Sequence, residues 1–162
     1  TGAHISASHG IKDKEFSFTG VSREDILEIR IKEFPVIDDE AGKKMIEDVD
    51  KARKSLDSLG GVIECAAVNI PAGIGSPMFD GLENTISRLV FGIPAVKGIE
   101  FGIGFKAAEL LGSQNNDEFY VDDHGHVVTR SNFAGGLLGG ISNGMPITLR
   151  VAFKPTPSIA TY

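Results

Sequence analysis

Tryptophan is missing from the 162 residues, cysteine occurs once, at Cys65, and aromatic residues make up only 7%. A single cysteine excludes an internal disulfide, so a reducing, cytoplasmic setting is expected. No apolar run approaches the ~18 residues that a membrane helix needs, and no basic-then-apolar stretch opens the sequence, so no membrane partner is expected. Positive charge is short as well. Sixteen Lys and Arg stand against 22 Asp and Glu, a net charge of −6. That balance argues against a nucleic-acid partner, whose affinity rests largely on neutralised phosphates. What remains is 41% apolar and 23% charged, a length and composition that fit one domain over residues 1–162. The chain begins at Thr1 without a methionine, and we expect it to be a segment of something longer.

Periodicity outlines an α+β chain. Residues 1–20 read as strand and loop. Ser22 and Asp25 have the spacing of a capping-box turn. Leu27, Ile29 and Ile31 then alternate with charged residues, a period of two that predicts a half-buried strand over 27–32. Asp38 and Asp39 mark a helix start. Met45, Ile46, Val49, Ala52 and Leu56 follow on one face at helical spacing, and Gly60 and Gly61 supply the stop. The apolar run 62–70 predicts a mostly covered strand, with Cys65 as a small core residue rather than a nucleophile. A loop over 71–77 leads to a second helix over 80–90 with Leu82, Ile86, Leu89 and Val90 inward. Residues 95–105 predict a strand, 107–111 a helical turn ended by Gly112, and 118–121 with 127–129 the arms of a hairpin. A final strand over 147–153 alternates Ile147, Leu149, Val151 and Phe153. The expected architecture is an antiparallel sheet with helices packed on one face.

Four places could carry chemistry. Gly102, Gly104 and Ala107 follow a strand, with Asp122 twenty residues on, as in a dinucleotide fingerprint. The helical pattern dies by Gly112, so a glycine-rich strand end is the better reading. His124 and His126 beside Asp122 and Asp123 offer metal-ligand types, but a solvated hairpin tip explains them better. His4 and His9 have no recognisable partners. Residues 135–144 include five glycines among ten. Tight turns would use two or three of these. The favoured reading is a backbone cradle whose N–H groups approach a phosphate or planar ring that a Cβ would block. Lys154-Pro-Thr-Pro-Ser-Ile159, after the last strand, pairs a fixed cation with two stiffening prolines and the hydroxyls of Thr156 and Ser158. It suits a phosphate or electron-rich ring edge, or else serves as a rigid connector.

Five blocks taken together resemble the chorismate synthase family, in that family's order. They are Asn69-Ile-Pro-Ala-Gly-Ile-Gly-Ser-Pro-Met-Phe-Asp80, Ala95-Val-Lys-Gly-Ile-Glu-Phe-Gly-Ile-Gly-Phe105, Gly112-Ser-Gln-Asn-Asn-Asp117, Ser131-Asn-Phe-Ala-Gly-Gly-Leu-Leu-Gly-Gly-Ile-Ser-Asn-Gly144 and Arg150-Val-Ala-Phe-Lys-Pro-Thr-Pro-Ser-Ile159. The resemblance implies an internal segment of a lyase of the shikimate pathway of aromatic amino-acid biosynthesis. Such an enzyme uses reduced FMN to convert 5-enolpyruvylshikimate 3-phosphate to chorismate and phosphate by 1,4-anti elimination. It also implies helices packed between two antiparallel sheets and assembly as a homotetramer. Carried over by motif, Gly139 matches a flavin-contacting glycine, and Lys154, Pro155, Thr156, Pro157 and Ser158 match a flavin-binding turn. Pro94 and Ala95 match a flavin contact that is commonly Asn-Ala, so Pro94 departs from the usual form. The family's catalytic histidines and substrate arginines match nothing in this segment, and the segment alone is expected to be inactive. A non-catalytic flavin- or nucleotide-binding module is the alternative. Whether NADPH supplies the reduced flavin is left open.

Overall fold

Alternation of apolar and polar side chains over long strands favours an antiparallel sheet, and the computed structural model, which describes residues 1–160, has one. Strands β1 (Gly2–Ser8) and β2 (Ile11–Lys12) form a hairpin and are followed by helices α1 (Arg23–Arg30) and α2 (Asp39–Lys54). Next come β3 (Gly61–Ala67), α3 (Leu82–Val90), β4 (Val96–Phe101) and a short α4 (Gly112–Asn115). Two small hairpins, β5 (Phe119–Val121) with β6 (Val127–Thr129) and β7 (Leu137–Leu138) with β8 (Ile141–Ser142), precede β9 (Ile147–Phe153). The main sheet runs β2-β1-β3-β9-β4, every neighbour antiparallel. The α+β class with an antiparallel sheet is as expected, but the helices lie on both faces of the sheet rather than on one.

The two faces of the sheet differ in kind. Ile5, Ile63, Val151 and Ile99 lie in one cross-strand row, and Ala3, Cys65, Leu149 and Phe101 in the next row on the same face. Helices α2 and α3 flank this apolar side, Val49 and Ala52 near Ile5 and Ile63, Ile86 near Cys65 and Leu149. The opposite face carries a charged row, His4, Glu64, Arg150 and Glu100, one residue from each of four strands. His4 is buried with Nε2 2.7 Å from Glu64 Oε2 and Nδ1 3.0 Å from Asp13 Oδ2. Glu64 also accepts from Phe16 N, and Asp13 from the backbone N–H groups of Ile37 and Asp38. Arg150 donates to Glu15 and Glu100, each at 2.8 Å. Here, then, is a role for His4 that its sequence neighbours do not reveal. His9 is exposed and meets Asp48 Oδ2 at 2.9 Å.

Several expectations need correction. Residues 27–32 do not form a strand; residues 23–30 are helix α1. The Ser22–Asp25 capping box starts a helix rather than an isolated turn, with Asp25 N donating to Ser22 Oγ and Ser22 N to Asp25. The Ser22 hydroxyl, and after it the Ser22 backbone N–H, donate to the Asp25 carboxyl and hold it below its ordinary range. Ile26 and Ile29, three apart, are buried with Phe16, Val21 and Ala66, whereas Ile31 is 87% exposed. Thus α1 covers the charged side of the sheet, opposite α2 and α3. Helix α2 starts as expected, Asp38 capping Glu40 N, but it stops at Ser55. Leu56 takes φ +60, and Gly61 opens β3 instead of ending the helix. Gly112 begins α4 rather than closing a turn. Strand β4 ends at Phe101, and a 3₁₀ segment covers Gly104–Glu109. Leu89 points outward, 66% exposed.

The buried His4–Glu64 contact yields a stability prediction. Removing one partner of such a pair costs about 3–5 kcal/mol because the other is left buried and under-partnered. His4→Leu should therefore lower the unfolding free energy by about that much, and adding Glu64→Leu should restore at least half of it. Denaturant unfolding of both single variants and the double variant measures the coupling, and additive losses would refute the pairing.

Candidate functional site

The glycine-rich segment folds by using most of its glycines on its own chain. A Cβ on Gly136 would lie 2.5 Å from Pro146 O, one on Gly140 would lie 2.5 Å from Ser76 O, and one on Gly135 would strike the backbone of Gly102. This corrects the cradle expectation for those three positions, where the bare backbone is needed for internal packing. Gly139 differs. It has φ +60, is exposed, and has no atom beyond its chain neighbours within 4 Å of where its Cβ would stand. With Gly140 at φ +87 it makes the two-residue turn between β7 and β8, the backbone such a tight hairpin favours.

Both sides of this hairpin are pinned. Leu82 N at the start of α3 donates to Gly140 O at 2.9 Å. Ser142 Oγ accepts from Ile74 N and donates to Pro71 O. On the other side, Asp117 Oδ1 accepts from Ser131 Oγ (2.7 Å) and Phe133 N (2.8 Å), and its Oδ2 from Ala134 N (2.9 Å). Asn132, fully buried, donates from Nδ2 to Phe18 O and Pro146 O, each at 2.8 Å, and accepts from Gly136 N at 2.7 Å. Sequence reasoning missed Asn132 and Asp117. The available signal was a polar residue three positions before a glycine pair, with no hint of partners as distant as Phe18.

The second cluster stands at the other end of β9. Lys154 N donates to Ala95 O at 3.0 Å, which brings the 94–95 pair and the 154–158 turn together as one edge. Ala95 adopts φ +70, a strained conformation for a residue with a side chain. Ser58 Oγ donates to Thr156 O at 2.7 Å and Ala160 N to Leu56 O at 3.2 Å, tacking the turn onto the 55–60 loop. Pro94, Lys154, Pro155, Thr156, Pro157 and Ser158 are exposed, and Ala95 is half-buried. Lys154 has no carboxylate within ion-pair distance among the described residues. The structure thus unites Pro94, Ala95 and 154–158 but not Gly139. Seven residues of β9 at ~3.3 Å each set the two ends of that strand about 20 Å apart, the hairpin that carries Gly139 being anchored near its start and Lys154 following its finish.

The remaining candidates stay bland. Gly102 and Gly104 pack on Phe133 and Glu100 and lead into a 3₁₀ segment, with no nucleotide-binding helix. His124 N and His126 N both donate to Asp122 Oδ1 at the exposed tip of the β5–β6 hairpin. These bonds, His126 first, hold the Asp122 carboxyl below its usual range, and no cluster of metal-ligating side chains occurs among the described residues. Burial, then the neighbouring Glu64 charge, pushes the Cys65 thiol above its ordinary 9.0.

Comparison with known proteins gives a consistent result. The family model described as chorismate synthase matches residues 3–162. A chorismate synthase of Dehalococcoides mccartyi is 54% identical over 120 residues, 74% of this chain and 33% of that protein. That of Lancefieldella parvula is 46% identical over 167 aligned positions, covering 97% of this chain and 44% of that protein. A solved structure described as "Crystal Structure of Chorismate Synthase" superposes with a TM-score of 0.85 at 32% identity, over 97% of this chain and 49% of that one. The chain therefore spans between a third and a half of the length of these relatives.

Two outcomes follow from the geometry. Gly139→Ala should cost only the left-handed backbone penalty, about 1–2 kcal/mol. Gly140→Ala should cost clearly more, because its Cβ also meets Ser76 O; equal losses in thermal unfolding would refute the distinction. For Cys65, whose thiolate is disfavoured in the fold, iodoacetamide labelling at pH 8 should be far slower in native than in urea-unfolded protein. Equal rates would refute the core role.

Proposed function

The chain belongs to the chorismate synthase family, and from that premise we propose that it supplies two flavin-contacting edges of an enzyme converting 5-enolpyruvylshikimate 3-phosphate to chorismate and phosphate. The match over residues 3–162 carries this reading. The reaction breaks the carbon–oxygen bond to phosphate and removes a proton from C6, forming a new carbon–carbon double bond with no net oxidation. Reduced FMN, when bound, lends electron density to the breaking bond.

The residues of the chain fit a planar, anionic cofactor in complementary ways. Gly139 offers exposed backbone with open space above it, a surface a flat ring can approach. Lys154 offers an ammonium with no carboxylate partner among the described residues, suited to the phosphate or an electron-rich ring edge. Pro155 and Pro157 stiffen the turn that holds Lys154, and Thr156 and Ser158, both exposed, bring hydroxyls to the same turn. Ala95 accepts from Lys154 N through its carbonyl, and Pro94, having no N–H, can offer only its carbonyl or ring face.

The separation along β9 shapes the assembly. Gly139 and Lys154 are placed by opposite ends of β9, so in our reading they meet different parts of one large ligand or sites shared between subunits. Homotetramer formation fits the latter. The catalytic histidines and substrate arginines of the family would come from outside these residues. A net charge of −6 likewise leaves most of the anion-binding work to other parts of the protein. The single free cysteine fits a cytoplasmic setting. A non-catalytic flavin-binding module remains the reading for the 162 residues on their own.

The test is phosphate release from 5-enolpyruvylshikimate 3-phosphate with reduced FMN. The intact protein that carries this chain should turn over, Lys154→Ala should raise its FMN dissociation constant about tenfold, equivalent to about 1.4 kcal/mol, and the 162 residues alone should give no chorismate. Turnover by the isolated chain would overturn the reading that the catalytic groups lie outside it, and an inactive intact protein would overturn the assigned reaction.

A further inference from the structure

We infer that Asn132, assisted by Asp117, is a positioning residue that sets the Gly139 edge for the flavin ring. This rests on the flavin reading above. The β7–β8 hairpin has only two residues per arm, and an isolated hairpin is marginal in water even when longer. Its place must be dictated from outside. One side is fixed by backbone and Ser142 contacts to the 71–76 loop and the start of α3. The other is held by two buried side chains together with the backbone bonds of Gly135 to Asn132 and Thr148.

The Asn132 carboxamide uses both N–H donors and its oxygen, on Phe18 O, Pro146 O and Gly136 N. No atom of Asn132 reaches the surface. It therefore acts on a ligand only through the turn it holds, residues 135–136, three residues before Gly139. Gly135 N adds a bond to Asn132 O at 3.0 Å. Asp117 is the complement, a buried acceptor taking three bonds from residues 131–134. Every non-proline donor from 133 to 136 is thereby spoken for, and the hairpin leaves this clamp in one direction. An amide is required at 132. A carboxylate there would set an acceptor oxygen, in place of Nδ2, against two carbonyl oxygens while keeping the size of the side chain.

The experiment uses the intact protein and oxidised FMN as the probe, reading the dissociation constant by fluorescence quenching, the absorption band of bound flavin, and the melting temperature without FMN. Gly139→Val is the reference for the flavin contact itself. Asn132→Asp should raise the FMN dissociation constant about tenfold or more and shift the bound-flavin band. Ser131→Ala, which removes one bond from Asp117, should raise it by about two- to fivefold with little change in melting. A purely structural role would lower the melting temperature and leave the affinity and spectrum of the folded protein unchanged; that result overturns the inference. If Gly139→Val weakens FMN and folded Asn132→Asp does not, the positioning role fails while the flavin reading stands. If Gly139→Val leaves FMN binding intact, the flavin reading fails and the inference falls with it. Should Asn132→Asp not fold, an unchanged affinity in Ser131→Ala overturns the role.

Discussion

The register of β9 is the constraint on which the other features depend. Its charged member, Arg150, lies in one cross-strand row with His4, Glu64 and Glu100, while Leu149 and Val151 face the opposite, apolar side. A slip of one residue would drive Arg150 among Ile63, Cys65 and Ile99 and expose the apolar residues on the polar face. The penalty for burying an unpaired guanidinium makes that alternative prohibitive. The row contributes less through net attraction, which desolvation largely offsets, than through excluding wrong pairings.

Because β9 is fixed in register, both of its ends are fixed as well. At the start, Pro146 and Thr148 receive Asn132, Gly135 and Gly136, so the glycine hairpin is placed by the same strand. At the finish, Phe153 pairs with Val96 and Gly61, and the next residue, Lys154, bonds to Ala95. The strain at Ala95 is held by this pairing and by Lys154 rather than by anything local. The two proposed flavin edges are thus coupled to opposite ends of one rigid element.

Much of this was readable in the residues. Asp38 before an amphipathic run identified α2, and strict alternation from Ile147 to Phe153 identified β9, because in each the local signal and the tertiary environment agree. Helix α1 was misread because Leu27, Ile29 and Ile31 mimic a strand, whereas the residues that matter are Ile26 and Ile29. The Ser22–Asp25 box was the better guide. The glycines posed a different problem. Gly136, Gly139 and Gly140 are identical as letters, and only the positions of Pro146 O and Ser76 O separate two packing glycines from one open one. His4 and Asn132 were silent for the same reason, since Glu64 lies 60 residues from the one and Phe18 114 residues from the other.

Electrostatics and packing together limit how this chain can serve an anionic cofactor. With 22 acidic and 16 basic residues the net field repels an anion, and Arg150, the charged residue of β9, is already paired with carboxylates. Lys154, the next cation along the chain, follows the end of β9. Meanwhile the helices beside the apolar face of the sheet keep apolar side chains in solvent, Ile46 and Val49 on α2 and Leu89 on α3. A chain that is net negative and uncovered on its helix layer needs both charge and apolar cover from outside itself. The relatives, two to three times as long, have the additional length to supply them.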